Sequence, residues 1–431
     1  MRGFFAVVMM MACAFSASAQ VLRMETVGSA SDQRIPIAIP AFSAPPGQEA
    51  LGQELAAIVA YDLDFSGVFR VLPRDSYPAG FAGSPRDPSQ IDFAAWRASK
   101  ADYFLHGYVY TSGSTLSFEC QLFDVIDSHR VLGKVHEGGQ QAKRRIAHRA
   151  SDDILLQVDG IEGIATSAVA FSGGSTGRKE IYMADYDGMN ARQLTHYNSI
   201  SILPKISPDG GKIAYTSFRQ GAPCLYVLSI ASGSSTLLSK MVGLNISPSW
   251  APDGRTLAIT LSKDANPEIY LINPDGTGLR RLTNDKAVDT QPAFSPDGRQ
   301  IAFVSDRYGS GQICVMNADG SGVRRLSMQG GRSTDPAWSP DGKSIAYAVE
   351  GGGIQIYVMD ANGGNPRQLT RAGNNEKPSW SADSRHVVFT SSRSGSSSLW
   401  AVNIKTGQER RIPNLQMACQ GPSWGPRRSS P

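Results

Sequence analysis

Apolar and polar residues alternate in short runs through the last two-thirds of the chain, and the runs return at a fixed interval. In the stretch from Thr334 they are "PAWSP", "SIAYAV", "QIYVMD" and "RQLT", four strand-length segments separated by Asp-Gly and Gly-Gly punctuation. Matching second strands occur as "AVAFS", "KIAYTS", "TLAITL", "QIAFVS" and "HVVFTS". The proline of the "SPDG" motif, or its equivalent, lies at Pro208, Pro252, Pro296, Pro340, Ala382 and Pro426, with spacings of 44, 44, 44, 42 and 44. A period in the low forties built from short strands predicts a β-propeller, here with six blades. The first unit lacks its first strand, and "GPSWGP" near the C-terminus is that strand with nothing after it. The C-terminal strand is therefore expected to complete the first blade and close the ring, removing the open sheet edge.

The preceding segment follows a different pattern. "RIPIAIPAF" reads as a strand, and Leu51, Leu55, Ile58 and Val59 mark one face of a helix that Gly67 stops. "VFRVLP", a short helix around Phe93 to Ala98, three strands ("YFLHGYVY", "TLSFECQLFDV", "RVLGKVHEG") and an amphipathic helix over Ala142 to Leu156 follow. The loop from Tyr77 to Gln90 is expected to be mobile. The fold class is thus a small N-terminal α/β domain, residues 20–160, followed by an all-β six-bladed propeller, residues 161–431, with "VDGIEG" as the linker.

Residues 1–19 fit a secretory signal: Arg2, an apolar run from Phe4 to Phe15, then Ala17-Ser18-Ala19 before Gln20. Lipidation at Cys13 fits less well, because that cysteine sits early. No segment is long enough to span a bilayer as a helix, so an exported soluble protein is expected. Export permits disulfides, but Cys120, Cys224, Cys314 and Cys419 share no paired spacing and read as small buried residues. The 44 glycines and 25 prolines agree with many turns, and a net charge of +4 is too small to imply a nucleic-acid partner.

Candidate chemistry is sparse. Asp209, Asp253, Asp297 and Asp341 precede glycine in the same turn of successive blades, so the ring keeps them apart, whereas a metal site needs its oxygens to converge. Asp-Gly suits a tight turn because glycine accepts positive φ and aspartate can bond its own backbone. The Asp-Gly pairs of "NPDGTG" and "NADGSG" read likewise as turns, without the distal glutamate of a calcium loop. "GGSTG" at Gly173 to Gly177 has the form of a nucleophile elbow but falls between two propeller strands, not between strand and helix. His106, His129, His136, His148, His196 and His386 show no metal-binding spacing. Arginines recur on the fourth strands (Arg192, Arg280, Arg281, Arg324, Arg325, Arg367, Arg410, Arg411); they suit guarded outer edges, with a polyanion belt as the alternative. What varies between blades is the entry to each inner strand: Leu244-Asn245, Thr290-Gln291, Thr334-Asp335 and Glu376-Lys377. These loops ring one mouth of the central channel, where binding specificity can be written against a background of ordinary solvated loop residues.

Together "RIPIAIPAF", "IVAYDLDFSGVFRVL", "AAWRASKADYFLHGYV", the "SPDG…IAY…IYVMD…RQLT" repeats and the terminal "PSWGP" resemble the TolB family, the periplasmic component of the Tol-Pal envelope system. The resemblance covers essentially the whole chain after the signal. It implies a non-catalytic, cofactor-free and monomeric periplasmic adaptor that supports outer-membrane integrity and cell division. It also implies that the peptidoglycan-associated lipoprotein Pal docks at the channel mouth, and that TolA contacts an N-terminal segment, here about residues 20–33 with Val21, Leu22, Arg23, Met24 and Glu25. Matching the repeats puts the Pal-facing positions on Leu244, Ser247 and Thr290, with Thr334 and Asp335 their equivalents in the next blade. Leu244 stands where a polar, histidine-type residue is expected, and the N-terminal "QVLRMETVGSASDQ" is only loosely similar to the family's segment. An exported hydrolase gated by a propeller, or a polyanion-binding propeller, are the competing readings; the first needs a nucleophile with partners or a metal cluster.

Overall fold

The computed structural model describes residues 33–428 apart from 82, 86, 176 and 329. The expected signal segment, residues 1–19, and Val21, Leu22, Arg23, Met24 and Glu25 lie outside the described residues.

The N-terminal sheet contains β1 (Ile35–Ala38), β2 (Phe69–Val71), β3 (Tyr103–Ser112), β4 (Thr115–Asp124) and β5 (His129–Gly139), in the order β2-β1-β3-β4-β5. β1 is parallel to both of its neighbours, and β3, β4 and β5 form an antiparallel meander. The helices α1 (Glu49–Phe65) and α3 (Lys143–Asp159) lay Leu55, Val59, Ile146 and Ile154 into one core with Ile37, Leu105 and Phe118 of the sheet. α3 ends at Gly160, whose φ of 73° is the left-handed cap that glycine accepts at least cost. The short helix α2 (Phe93–Ala98) places Trp96 in a second core with Phe104 and Phe123. The loop from Tyr77, expected to be mobile, is pinned there. Tyr77 and Phe81 each meet the Trp96 ring edge-on at 5.0 Å, and the Pro85 carbonyl lies 2.6 Å from His106 Nε2.

Six four-stranded antiparallel sheets follow, and the C-terminal strand closes the ring as expected: Cys419–Arg427 pairs with Ser167–Ser175 to complete the first blade. Trp424 Nε1 donates to Ser167 Oγ at 2.7 Å across that seam. The other inner strands are Ser201–Ile206, Asn245–Trp250, Asp289–Phe294, Arg332–Trp338 and Asn375–Trp380. Their core residues alternate with channel-facing ones, and neighbouring blades bury layers such as Ala214, Leu225, Trp250, Leu257 and Ile259 between them. Cys120, Cys224, Cys314 and Cys419 are separate buried thiols, and burial pushes those of Cys120 and Cys419 up to about 12 and that of Cys314 to about 11.

The "SPDG" segments are turns. Ser207, Ser295 and Ser339 each donate to the aspartate two residues on, at 2.5, 2.6 and 2.5 Å. The same carboxylates accept the backbone N–H of Gly211, Arg299 and Lys343. The sixth blade keeps this arrangement with Ser381 and Asp383, and Ser384 takes the positive φ (59°) that glycine holds elsewhere.

The N-terminal domain is seated on the first and sixth blades through the end of α1. Phe65 stacks on His386 with ring centroids 4.8 Å apart, and its carbonyl lies 2.9 Å from His386 Nε2. Asp62, buried in the same helix, is held by His148 Nδ1 (2.8 Å), Ser151 Oγ (2.8 Å) and Tyr186 Oη (2.5 Å) of the first blade. Ion pairs Arg144–Asp187, Arg410–Asp64 and Arg385–Asp159 ring this contact.

Burial by itself would depress the His148 imidazole, but the Asp62 carboxylate, as charge and as hydrogen-bond acceptor, raises it above its ordinary value. A folded-state value above the unfolded one gives a contribution to stability that is complete below the unfolded imidazole pKa. It is lost as pH rises through the folded value. Thermal melting followed from pH 6 upward should therefore show a decline that is absent in His148→Gln, and that variant should be less stable at pH 6 by about 3 kcal/mol because Asp62 loses its charged partner. A parallel decline in the variant would remove His148 from this role.

Candidate functional site

The six inner strands share one local departure from regular pairing. Each carries a residue at positive φ followed by proline: Leu203-Pro204, Ser247-Pro248, Gln291-Pro292, Asp335-Pro336, Lys377-Pro378 and Gly421-Pro422, with φ between 54° and 59°. Pairing with the second strand skips at this point in every blade. Proline removes the N–H that would bond to the second strand, and the left-handed residue ahead of it swings its side chain toward the axis. The six pairs converge on a neck of about 50 Å³ lined by Leu203, Ser247, Gln291, Asp335, Lys377 and Gly421.

Of the entry residues singled out in the sequence, the structure brings Ser247, Gln291, Asp335 and Lys377 together in this neck. Leu244, Thr290 and Glu376 are half-buried just outside it, with Glu376 bound to Lys377 Nζ at 2.5 Å. Thr334 is nearly buried and its hydroxyl lies 3.3 Å from the Asp335 carboxylate. Asn245 departs from the expectation. It is fully buried: its Oδ1 accepts from Ser239 Oγ (2.7 Å) and the Met241 N–H (2.9 Å), and its Nδ2 donates to the carbonyls of Met241 (2.7 Å) and Gly243 (3.2 Å). With its amide fully engaged it shapes the loop and has nothing to offer a docking partner. Leu203, Gly421 and Lys205 were not singled out, although the recurring X-Pro-X triplet ("LPK", "SPS", "QPA", "DPA", "KPS", "GPS") marks all three.

The neck residues also join blade to blade. In two junctions a threonine of the second strand accepts the N–H of the left-handed residue in the next blade: Thr260 from Gln291 (3.2 Å) and Thr390 from Gly421 (2.9 Å). Blades four and five have Val304 and Ala348 at that position. There the neck side chains substitute: Gln291 Oε1 accepts the Asp335 N–H at 3.0 Å, and the Asp335 carboxylate accepts the Lys377 N–H. Gln291 Nε2 also donates to Asp335 Oδ1 at 2.6 Å. Burial pushes the Asp335 carboxyl up, and the neighbouring Lys377 charge offsets part of that rise.

The face that carries this mouth differs from the turn face. The loops that lead into the inner strands and those joining second to third strands all lie on it. Tyr197, Met241, Val242, Tyr308 and Met328 are exposed there, Val242 at 85% and Met328 at 69%. The N-terminal domain holds the other face, through His386 after the "SADS" turn and Asp187 after a third strand.

The other candidates are absorbed by structure. Gly173 and Gly174 lie in the strand Ser167–Ser175 of the first blade, which pairs with the strand Arg178–Asp185 that follows it, so no helix follows the motif as a nucleophile elbow requires. Among the fourth-strand arginines, Arg281 binds Glu268 (2.8 Å), Arg325 binds Gln312 (3.1 Å) and Arg410 binds Asp64. Among the described residues one group of three, His148, Asp185 and Asp187, has metal-like spacing, but the Arg144 guanidinium already pairs with Asp187 and lies 3.4 Å from His148 Nε2.

Comparison with known proteins agrees with this geometry. The model of the TolB beta propeller domain matches residues 157–428, and that of the TolB amino-terminal domain matches residues 26–131. The Tol-Pal system protein TolB of Desulfosudis oleivorans is 37% identical over 210 residues, 48% of this chain and 48% of that protein. Its counterpart in Methylobacillus flagellatus is 36% identical over 246 residues, 56% of this chain and 55% of that one. The chain spans about half the length of these curated relatives. The crystal structure of TolB from Acinetobacter baumannii superposes with a TM-score of 0.82 at 28% identity, covering 91% of this chain and 97% of that one.

The blade-joining role of Asp335 is directly checkable. Asp335→Ala should lower unfolding stability by about 1–3 kcal/mol, because the Lys377 N–H is left without its acceptor. Adding Ala348→Thr, which supplies the acceptor found in two other junctions, should recover much of the loss in urea denaturation. Failure of the threonine to rescue would mean that Asp335 does not act through this bond.

Proposed function

The chain belongs to the TolB family, and from that premise we propose that it is a non-catalytic periplasmic adaptor of the Tol-Pal system whose channel mouth docks the globular domain of Pal. The observation that carries this reading is the pairing of a specific polar neck with an exposed apolar surround on one face. Tyr197, Met241, Val242, Tyr308 and Met328 stand around Ser247, Gln291, Asp335 and Lys377 on the face opposite the N-terminal domain. Large apolar side chains left exposed together on one face mark a protein-binding surface. Thr290, Glu376, Thr334 and Leu244 lie between the two zones and tune the fit, while Asn245 holds the scaffold behind them. The same reading gives the N-terminal segment of residues 20–33 to TolA.

Calorimetric titration of the full chain with the cognate Pal globular domain should show saturable binding. Val242→Asp and Thr290→Lys should each weaken it about tenfold or more by placing a charge in a surface that is desolvated on docking. Asp253→Asn, in a turn on the other face, should leave it unchanged. A folded protein that does not bind Pal, or mouth variants that bind as well as the parent, would sink the proposal.

A further inference from the structure

Immediately past the neck the channel widens into a second compartment of about 400 Å³ that opens toward the turn face. The residue that follows each proline stands at the level below it: Lys205, Ser249, Ala293, Ala337 and Ser379 line the compartment, and the sixth, Ser423, is buried next to Trp424, which lines it. Five are small and one is a lysine, which lines both the neck and the compartment below it. The three serines are already used as acceptors between blades: Ser249 Oγ takes the Phe294 N–H (3.2 Å), Ser379 Oγ the Trp424 N–H (2.9 Å) and Ser423 Oγ the Ile206 N–H (3.1 Å). A hydroxyl that accepts still has its own proton to give, so this level of the channel offers donors.

Among the described residues no carboxylate lies within ion-pairing distance of Lys205 Nζ, and no hydrogen bond holds it. Asp335 is near enough to act on Lys205 through its charge, but it is engaged by Gln291, Thr334 and the Lys377 N–H. Blades six, two and three thus present Ser379, Lys205 and Ser249 to the compartment, with the buried Ser423 of blade one between the first two, while blades four and five present only Ala293 and Ala337. The polar half is a cationic donor arc, and the facing half is apolar.

We propose that this compartment is a binding site for a small diffusible carboxylate or similar oxyanion, held by the Lys205 ammonium and the hydroxyls beside it. The chemistry follows from the donor set: an ammonium with open valences, hydroxyl protons and a low-dielectric wall favour a compact anion, and charge-assisted bonds to it are the strong ones. The size is that of a small-solute pocket. A carboxylate carried on another chain has the same chemistry, but the neck of about 50 Å³ has room for little more than a water or two, so it does not admit a side chain from the Pal-facing side. Burial also holds the Lys205 ammonium below its ordinary pKa, a penalty that a bound anion would relieve.

Succinate titrated into the full chain at constant ionic strength, with chloride as the compensating anion, tests this by calorimetry and by tryptophan emission. The emission arm has a reporter in place, since Trp250 Nε1 donates to the Lys205 carbonyl at 2.9 Å. The expected result is saturable binding that Lys205→Ala weakens about tenfold or more and Lys205→Arg retains. The alanine variant should fold, because two sister blades already have alanine at this position; its melting temperature checks that. Lys377→Met should bind succinate as the parent does. Oligoglutamate of about ten residues should neither bind there nor compete, being too large for the compartment. No saturable succinate binding, equal binding by Lys205→Ala, loss in Lys377→Met instead, or binding of oligoglutamate but not succinate would each overturn the proposal. None of these outcomes depends on whether Pal docks at the other mouth.

Discussion

Six times around the ring, the inner strand holds a left-handed residue directly before a proline, and the channel is a product of that constraint. For an ordinary side chain this backbone state costs about 1–3 kcal/mol, and proline restricts its predecessor further. Only Gly421 is exempt; Leu203, Ser247, Gln291, Asp335 and Lys377 all adopt it. Such strain persists where its surroundings over-determine it, and here the second strand of each blade and the next blade do so. The return is geometric: every blade turns one side chain into a shared neck and leaves the residue after the proline to line a wider compartment below.

Because the constraint repeats and the side chains do not, neighbouring blades have had to solve the same bonding problem differently. Threonine accepts the strained N–H in two junctions, at Thr260 and Thr390. Where Val304 and Ala348 stand instead, the acceptor comes from the neck itself, as the Gln291 amide and the Asp335 carboxylate. Residues that give the mouth its chemical identity are in this way also members of the wall. The turn face shows the opposite economy: its aspartates repeat faithfully because each is consumed by its own turn.

Much of this was legible beforehand. The spacing of the "SPDG" prolines and the orphan "GPSWGP" are enough to infer six blades and the closing strand, since both follow from counting repeats of one local pattern. The neck was legible only in part. Variation at Thr290-Gln291, Thr334-Asp335 and Glu376-Lys377 pointed to the mouth, but a search for variation passes over Leu203 and Gly421, which look like filler, and Lys205, which lies past the proline. Asn245 could not be excluded from sequence, because three of its four bonds go to loop backbone whose path appears only in three dimensions. The Asp62–His148–Tyr186 contact is illegible for a simpler reason: it joins two helices and a blade that no local pattern relates.

The strand that closes the ring has a consequence in time. Cys419 pairs with Gly173, and Trp424 with Val169, so the first sheet waits for a partner made about 250 residues later. At ordinary synthesis rates of about 5–20 residues per second that delay is on the order of ten seconds or more, during which the strand from Ser167 to Ser175 is a bare edge. For a chain that must also leave the cytoplasm, the interval is an opportunity for wrong strands as much as for the right one. The seam between first and last is therefore where newly made molecules would be lost to one another, long after the finished ring has ceased to show an opening.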